Sequence, residues 1–109
     1  MAMEYMDKRE YRLTLIDMLR GAILVQCRIL YPSACFQSHL AKLAEGGGLS
    51  NDDFNLAIAW LRERGWIRTE CRHILGREDV AVTLTAAGID VATQIDPQTP
   101  IVPRAYRND

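Results

Sequence analysis

The stretch Ser50-Asn51-Asp52-Asp53-Phe54-Asn55-Leu56-Ala57-Ile58-Ala59-Trp60-Leu61-Arg62-Glu63-Arg64-Gly65-Trp66-Ile67 decides how this chain folds. Ser50 followed three residues later by Asp53 has the spacing of a capping box, in which hydroxyl and carboxylate each take a backbone amide proton at a helix start. Asp52 and Asp53 also suit the positive end of a helix dipole. Phe54, Ala57, Ile58 and Leu61 then recur at i, i+3, i+4 and i+7, a single apolar stripe of helical period. Gly65 ends the helix, and Trp66 and Ile67 begin an alternating, β-prone run.

Beyond this stretch, the runs Trp66 to Arg72 and Val80 to Leu84 alternate and are joined by a loop containing Gly76. That is the pattern of a β-hairpin, with Ile67, Thr69 and Cys71 on one face. Thr85 caps a last helix that carries Gly88, Val91, Ala92 and Ile95 along one side. Pro97, Pro100 and Pro103 mark residues 97–109 as an extended tail, leaving 1–96 as the folded domain.

Toward the N terminus, Gly46, Gly47 and Gly48 form a helix stop and turn. No Lys-Ser or Lys-Thr pair follows them, so they are not a phosphate cradle. The helix before them is expected to turn Phe36, Leu40 and Leu43 inward and to start after Pro32 with Ser33 as its N-cap. Arg28 to Tyr31 reads as a short strand. A first helix is expected from about Asp7 to Gly21 or a little beyond, with Leu15, Ile16, Leu19, Ala22 and Ile23 at helical spacing. Tyr11, Met18 and Val25, at intervals of seven, form a second apolar stripe on another side. A helix apolar on two sides in so small a domain has one side for a partner, which makes these three candidate interface residues.

The resulting order is helix, short strand, helix, helix, two-stranded hairpin, helix: a mainly α fold with a small β-hairpin, the pattern of a winged helix-turn-helix. Ile58 to Ile67 resembles the end of the recognition helix and the start of the wing in winged-helix regulators of the arsenical-repressor type. Leu84-Thr85-Ala86-Ala87-Gly88 is similar to the Leu-Thr-x-x-Gly step from wing to final helix in the same superfamily. A closer resemblance, over Ile58 to Leu61, Leu84 to Ala92 and Pro100 to Arg107, is to the small winged-helix proteins of Mu-like phages and prophages. It implies a phage or prophage setting, the fold just described, and a DNA-binding transcription regulator that forms a homodimer through its first and last helices.

In such a fold the solvent side of the third helix enters the major groove. The positions matching the base-reading side are Asn55, Leu56, Ala59 and Trp60, and Asn55 is the one suited to read adenine through its amide. Asn51, Asn55 and Arg62 on the helix, with Arg68, Arg72 and Arg77 on the wing, are the candidate DNA contacts; Arg104 and Arg107 in the tail are further candidate phosphate ligands. Charge argues the other way. From Ser50 to Gly65 two arginines face three acids, Asp52, Asp53 and Glu63, and in the wing Glu70, Glu78 and Asp79 cancel the three arginines. Leu56 and Trp60 on a face that should be wet point to the rival reading, a non-enzymatic interaction module whose former reading face docks another phage protein. Trp60 is otherwise a core residue folded against the first helix or the wing.

The whole chain repeats this balance. Its 109 residues carry 13 Lys and Arg against 14 Asp and Glu, a net charge of −1, with 49% hydrophobic residues. Proteins held mainly by phosphates usually show a clear basic excess, so DNA contact here has to come from local placement of charge. Cys27, Cys35 and Cys71 are an odd number without a Cys-x-x-Cys pair, as expected of free thiols in a reducing host cytoplasm. No apolar run approaches the roughly 20 residues of a membrane span. His39 and His73 have no catalytic grouping around them, so the chain is not expected to be an enzyme. Cys35 with His39 on a helix and Cys71 with His73 on a strand have zinc-ligand chemistry, but the two elements are expected to lie apart; no metal or other cofactor is expected.

Overall fold

The structure is a computed structural model that describes residues 8–107. It is mainly helical with one small antiparallel sheet. The elements run α1 (Lys8–Leu30), β1 (Cys35–Phe36), α2 (Gln37–Gly46), α3 (Asn51–Glu63), β2 (Ile67–Ile74), β3 (Arg77–Leu84), α4 (Ala86–Thr93) and α5 (Arg104–Arg107). The sheet order is β1-β3-β2. Helices α1, α2, α3 and α4 and the sheet enclose one core, built from Leu19, Ile23, Leu24 and Cys27, from Leu40 and Ala44, from Phe54, Ala57, Ile58 and Leu61, and from Ile67, Val82, Leu84 and Val91.

The third helix forms as its sequence dictates. The Ser50 side chain accepts from the Asp53 amide at 3.1 Å, and the Asp53 carboxylate accepts from the Ser50 amide at 3.1 Å. At the other end the Trp66 amide bonds the Leu61 carbonyl and the Gly65 amide bonds that of Arg62. This pair of bonds needs a left-handed residue, and Gly65 supplies it with φ 74°. Gly48, φ 73°, closes α2 in the same way. Thr85 caps α4 through the Gly88 amide, as expected.

Three local expectations fail. Arg28 to Tyr31 is not a strand: burial of Leu24 and Cys27 carries the inward stripe of α1 up to these residues, and exposed Arg28, Ile29 and Leu30 finish its last turn. The expected helix start at Asp7 lies outside the described residues. Ser33 is not the cap of α2, which begins at Gln37. The intervening Cys35 and Phe36 are taken by the sheet, opposite Val82 and Ala81. Phe36 occupies the N-cap position without a side-chain bond, and Asp79 of β3 reaches the Ser38 amide at 3.3 Å and its hydroxyl instead. Leu43 lies outward, while Leu40 is fully buried.

The hairpin is longer than expected. Eight residues of β2 pair with eight of β3, from Ile67 opposite Leu84 to Ile74 opposite Arg77. The two-residue turn Leu75-Gly76 has φ 51° and 79°, the double positive φ of a type I′ turn. The tail does not simply extend into solvent. Residues 100–103 lie along the body with Val102 buried, and one helical turn, α5, follows.

Candidate functional site

Asn51, Asn55 and Arg62 are all exposed, and spacings of four and seven put them on one flank of α3. That flank faces the hairpin: Arg62 Nη1 lies 3.4 Å from Thr69 Oγ1 on β2. Asn51 and Asn55 line a groove of about 380 Å³ with Ser38 of α2 and with Cys71 and Asp79 of the hairpin. Asp79 is held below the ordinary carboxylate range, first by the Ser38 hydroxyl and then by the Val80 and Ser38 amides. Asp52 and Glu63 are exposed on the outer side of α3.

Arg68, Arg72 and Arg77 are exposed as well, but on the other face of the hairpin. Strand alternation separates Arg68 and Arg72 from Thr69, Cys71 and His73, and Arg77 pairs with Ile74 of the Arg72 face. The six candidate DNA contacts therefore fall into two groups of three, one on each face. Glu70 interrupts the arginine strip and lies 3.5 Å from Arg72. On the α3 side, His73 pairs with Glu78 at 3.3 Å.

Leu56 and Trp60 lie on the opposite flank of α3, toward α1. Trp60 is neither a bare anchor nor a core residue. It is half-buried, with the Arg20 and Arg64 guanidinium carbons 4.1 and 4.0 Å from its ring centroid and the Trp66 ring edge-on at 5.5 Å. Arg64 in turn donates to the carbonyls of Tyr106 and Arg107 at 2.9 and 2.8 Å, which ties the docked tail to this aromatic cluster. Arg107 pairs with Asp17 at 3.3 Å, so this tail arginine points into the body, whereas Arg104 is exposed.

Leu56 is 65% exposed and Leu13 of α1 is 53% exposed. With Ile16 and Trp60 they line a cleft of about 400 Å³ between α1 and α3, edged by Asp17, Arg20 and Asp53. Leu13 and Ile16 were not legible as cleft residues, although their i, i+3 spacing places them together on α1. Arg12 closes one end, donating to Asp53 at 2.6 Å. Asp53 is held below the usual carboxylate range chiefly by that Arg12 bond, with help from the Ser50 amide and hydroxyl. Of the other expected interface residues, Tyr11 is exposed while Met18 and Val25 are half-buried.

Cysteine chemistry divides by burial. Cys27 is pushed up to about 12 by desolvation and then by neighbouring Cys35, whose own pKa is raised by burial. Both are inert thiols, and Cys71 is exposed. Cys35 belongs to β1 and so shares no helix face with His39. Among the described residues no group of three or more His, Cys, Asp or Glu side chains is placed to hold a metal ion, and no helix is long and apolar enough to cross a membrane. Compared with protein-family models, curated proteins and solved structures, the chain matches none.

Proposed function

We propose that this chain is a winged-helix DNA-binding protein, a phage or prophage transcription regulator, with α3 as its recognition helix and β2-β3 as its wing. The observation that carries the reading is the exposed flank of α3, where Asn51, Asn55 and Arg62 stand in line on a helix capped at both ends and backed by the core. Asn55 and Asn51, one turn apart, suit amide pairing to adenine edges, and Arg62 suits guanine or phosphate. Arg68, Arg72 and Arg77 supply phosphate contacts from the outer wing face. The exposed Asp52, Glu63 and Glu70 oppose the phosphate field, so binding is weak without base contacts, and its salt dependence comes from the arginines that neutralise phosphates. Anisotropy of labelled duplexes, selected from a random pool, tests the reading: salt-dependent binding that N55A weakens supports it, and absence of binding at low salt overturns it.

A second reading has its own observation, the apolar cleft lined by Leu13, Ile16, Leu56 and Trp60. There the chain is a non-enzymatic module that docks another phage protein. Leu56, not Trp60, is the residue to change, because Trp60 also holds Arg20, Arg64 and Trp66 together. If L56D abolishes capture of a purified partner without lowering the melting temperature, the module reading stands; unchanged capture removes it.

A further inference from the structure

The tip of the hairpin reads Arg72-His73-Ile74-Leu75-Gly76-Arg77, two arginines and a histidine around an apolar pair, with no acid among them. Leu75 is 100% exposed at φ 51°, and Ile74 beside it is 41% exposed. A leucine placed there adds nothing to the core, and the turn ordinarily takes asparagine, aspartate or glycine at that position. The acids that follow are already engaged: Glu78 pairs with His73, and Asp79 is held by Ser38. In a chain of net charge −1, the tip is thus a local basic site built around an apolar point.

We propose that Leu75 is a wedge that enters the minor groove of a bound duplex and partly unstacks one base step. This role rests on the DNA-binding reading and adds to it a residue that selects sequence without a hydrogen bond to any base. Leucine is among the apolar side chains that proteins insert between base pairs, with a kink of roughly 20–90°. Arg72 and Arg77 flank the wedge, and the negative potential of a narrow minor groove favours arginine.

Cys71 lines the groove that holds Asn51 and Asn55. Leu75 lies four residues further along the hairpin, about 13 Å at about 3.3 Å per residue. With α3 in the major groove, the neighbouring minor groove is half a helical turn away, about 17 Å, and the leucine side chain spans the difference. The β2-β3 ladder runs unbroken from Ile67 opposite Leu84 to Ile74 opposite Arg77, which holds the tip against the resistance of the base stack. Unstacking is easiest at the pyrimidine–purine steps TA and CA/TG. The wedge therefore selects such a step about five base pairs from the centre of the bases that α3 meets.

The test uses the full chain and duplexes selected from a random pool. The wild-type pool is expected to carry a pyrimidine–purine step at that offset, and replacing the step by AA weakens binding about fivefold or more. L75N, whose Asn-Gly turn keeps the hairpin, loses this discrimination, whereas L75M keeps an apolar wedge and retains it. 2-Aminopurine placed at the step brightens when wild type or L75M binds and stays quenched when L75N binds. A selected pool without such a step, binding without brightening, or equal brightening with L75N overturns the wedge while the DNA-binding reading stands. A chain that binds no duplex at low salt fails that reading itself, and the wedge falls with it.

Discussion

Arg12 Nη2 donates a 2.6 Å hydrogen bond to Asp53 Oδ1, joining residues 41 positions apart in the chain. The same carboxylate accepts the Ser50 amide and hydroxyl, so one buried group completes the cap of α3 and fastens it to α1. Ionised Asp53 therefore adds a polar tie between the candidate reading helix and α1 to the apolar contacts of their shared core.

A carboxylate whose native pKa lies below its ordinary 3.8 adds stability that is fully present above that value and is lost as pH falls toward the native one. Asp79 behaves likewise at the start of α2. Thermal unfolding followed by circular dichroism is expected to show a lower melting temperature below the ordinary carboxylate range. In D53N and D79N the neutral-pH melting temperature drops and the acid limb becomes shallower; an acid limb unchanged in both variants counts against these two anchors.

Gly21 lies inside α1, where replacing glycine by alanine ordinarily stabilises a helix by about 1 kcal/mol. Here a Cβ would come within 1.8 Å of the Pro100 carbonyl oxygen, a backbone atom of the docked tail. G21A is expected to destabilise by roughly 1–3 kcal/mol, the cost of overpacking, and to loosen residues 100–107. Denaturant unfolding gives the sign, and hydrogen exchange at Tyr106 shows whether the tail has moved.

Leu75 is fully exposed at the hairpin turn with φ 51°, a conformation that favours asparagine or glycine over a branched side chain. L75N creates the Asn-Gly pair preferred by type I′ turns and is expected to raise stability by about 0.5–1 kcal/mol. A denaturation midpoint at or below that of the wild type argues against this turn.

What was legible in the sequence was what neighbours along the chain decide. Ser50 and Asp53, Gly65, the Phe54 to Leu61 stripe, the hairpin and the Thr85 cap are all set within a few residues, and each is present. Ser33 misled because Pro-Ser is a good local helix start, whereas the sheet claims Cys35 and Phe36 and a distant residue, Asp79, supplies the bonds at the start of α2. Arg28 to Tyr31 misled because burial of Cys27 keeps α1 helical. The Arg12 bond to Asp53, the stacking of Arg20 on Trp60 and the bonds from Arg64 to the Tyr106 and Arg107 carbonyls join residues 40 or more apart in the chain, and no local spacing announces them. Of the candidate DNA contacts, the Asn51, Asn55, Arg62 flank was legible from helical period, but its separation from Arg68, Arg72 and Arg77 by the thickness of the hairpin depends on strand register.

If α3 and the hairpin hold DNA, the affinity must fall with salt in a way that tracks the arginines of the wing. Anisotropy titrations with a selected duplex across a range of salt are expected to give a falling log-log plot. The R68A/R72A/R77A variant should flatten its slope by about 1 for each phosphate that is no longer neutralised, while N55A weakens binding to the selected duplex without changing the slope. No binding at low salt, or binding whose strength ignores both salt and these substitutions, is incompatible with a DNA-binding surface on α3 and the hairpin.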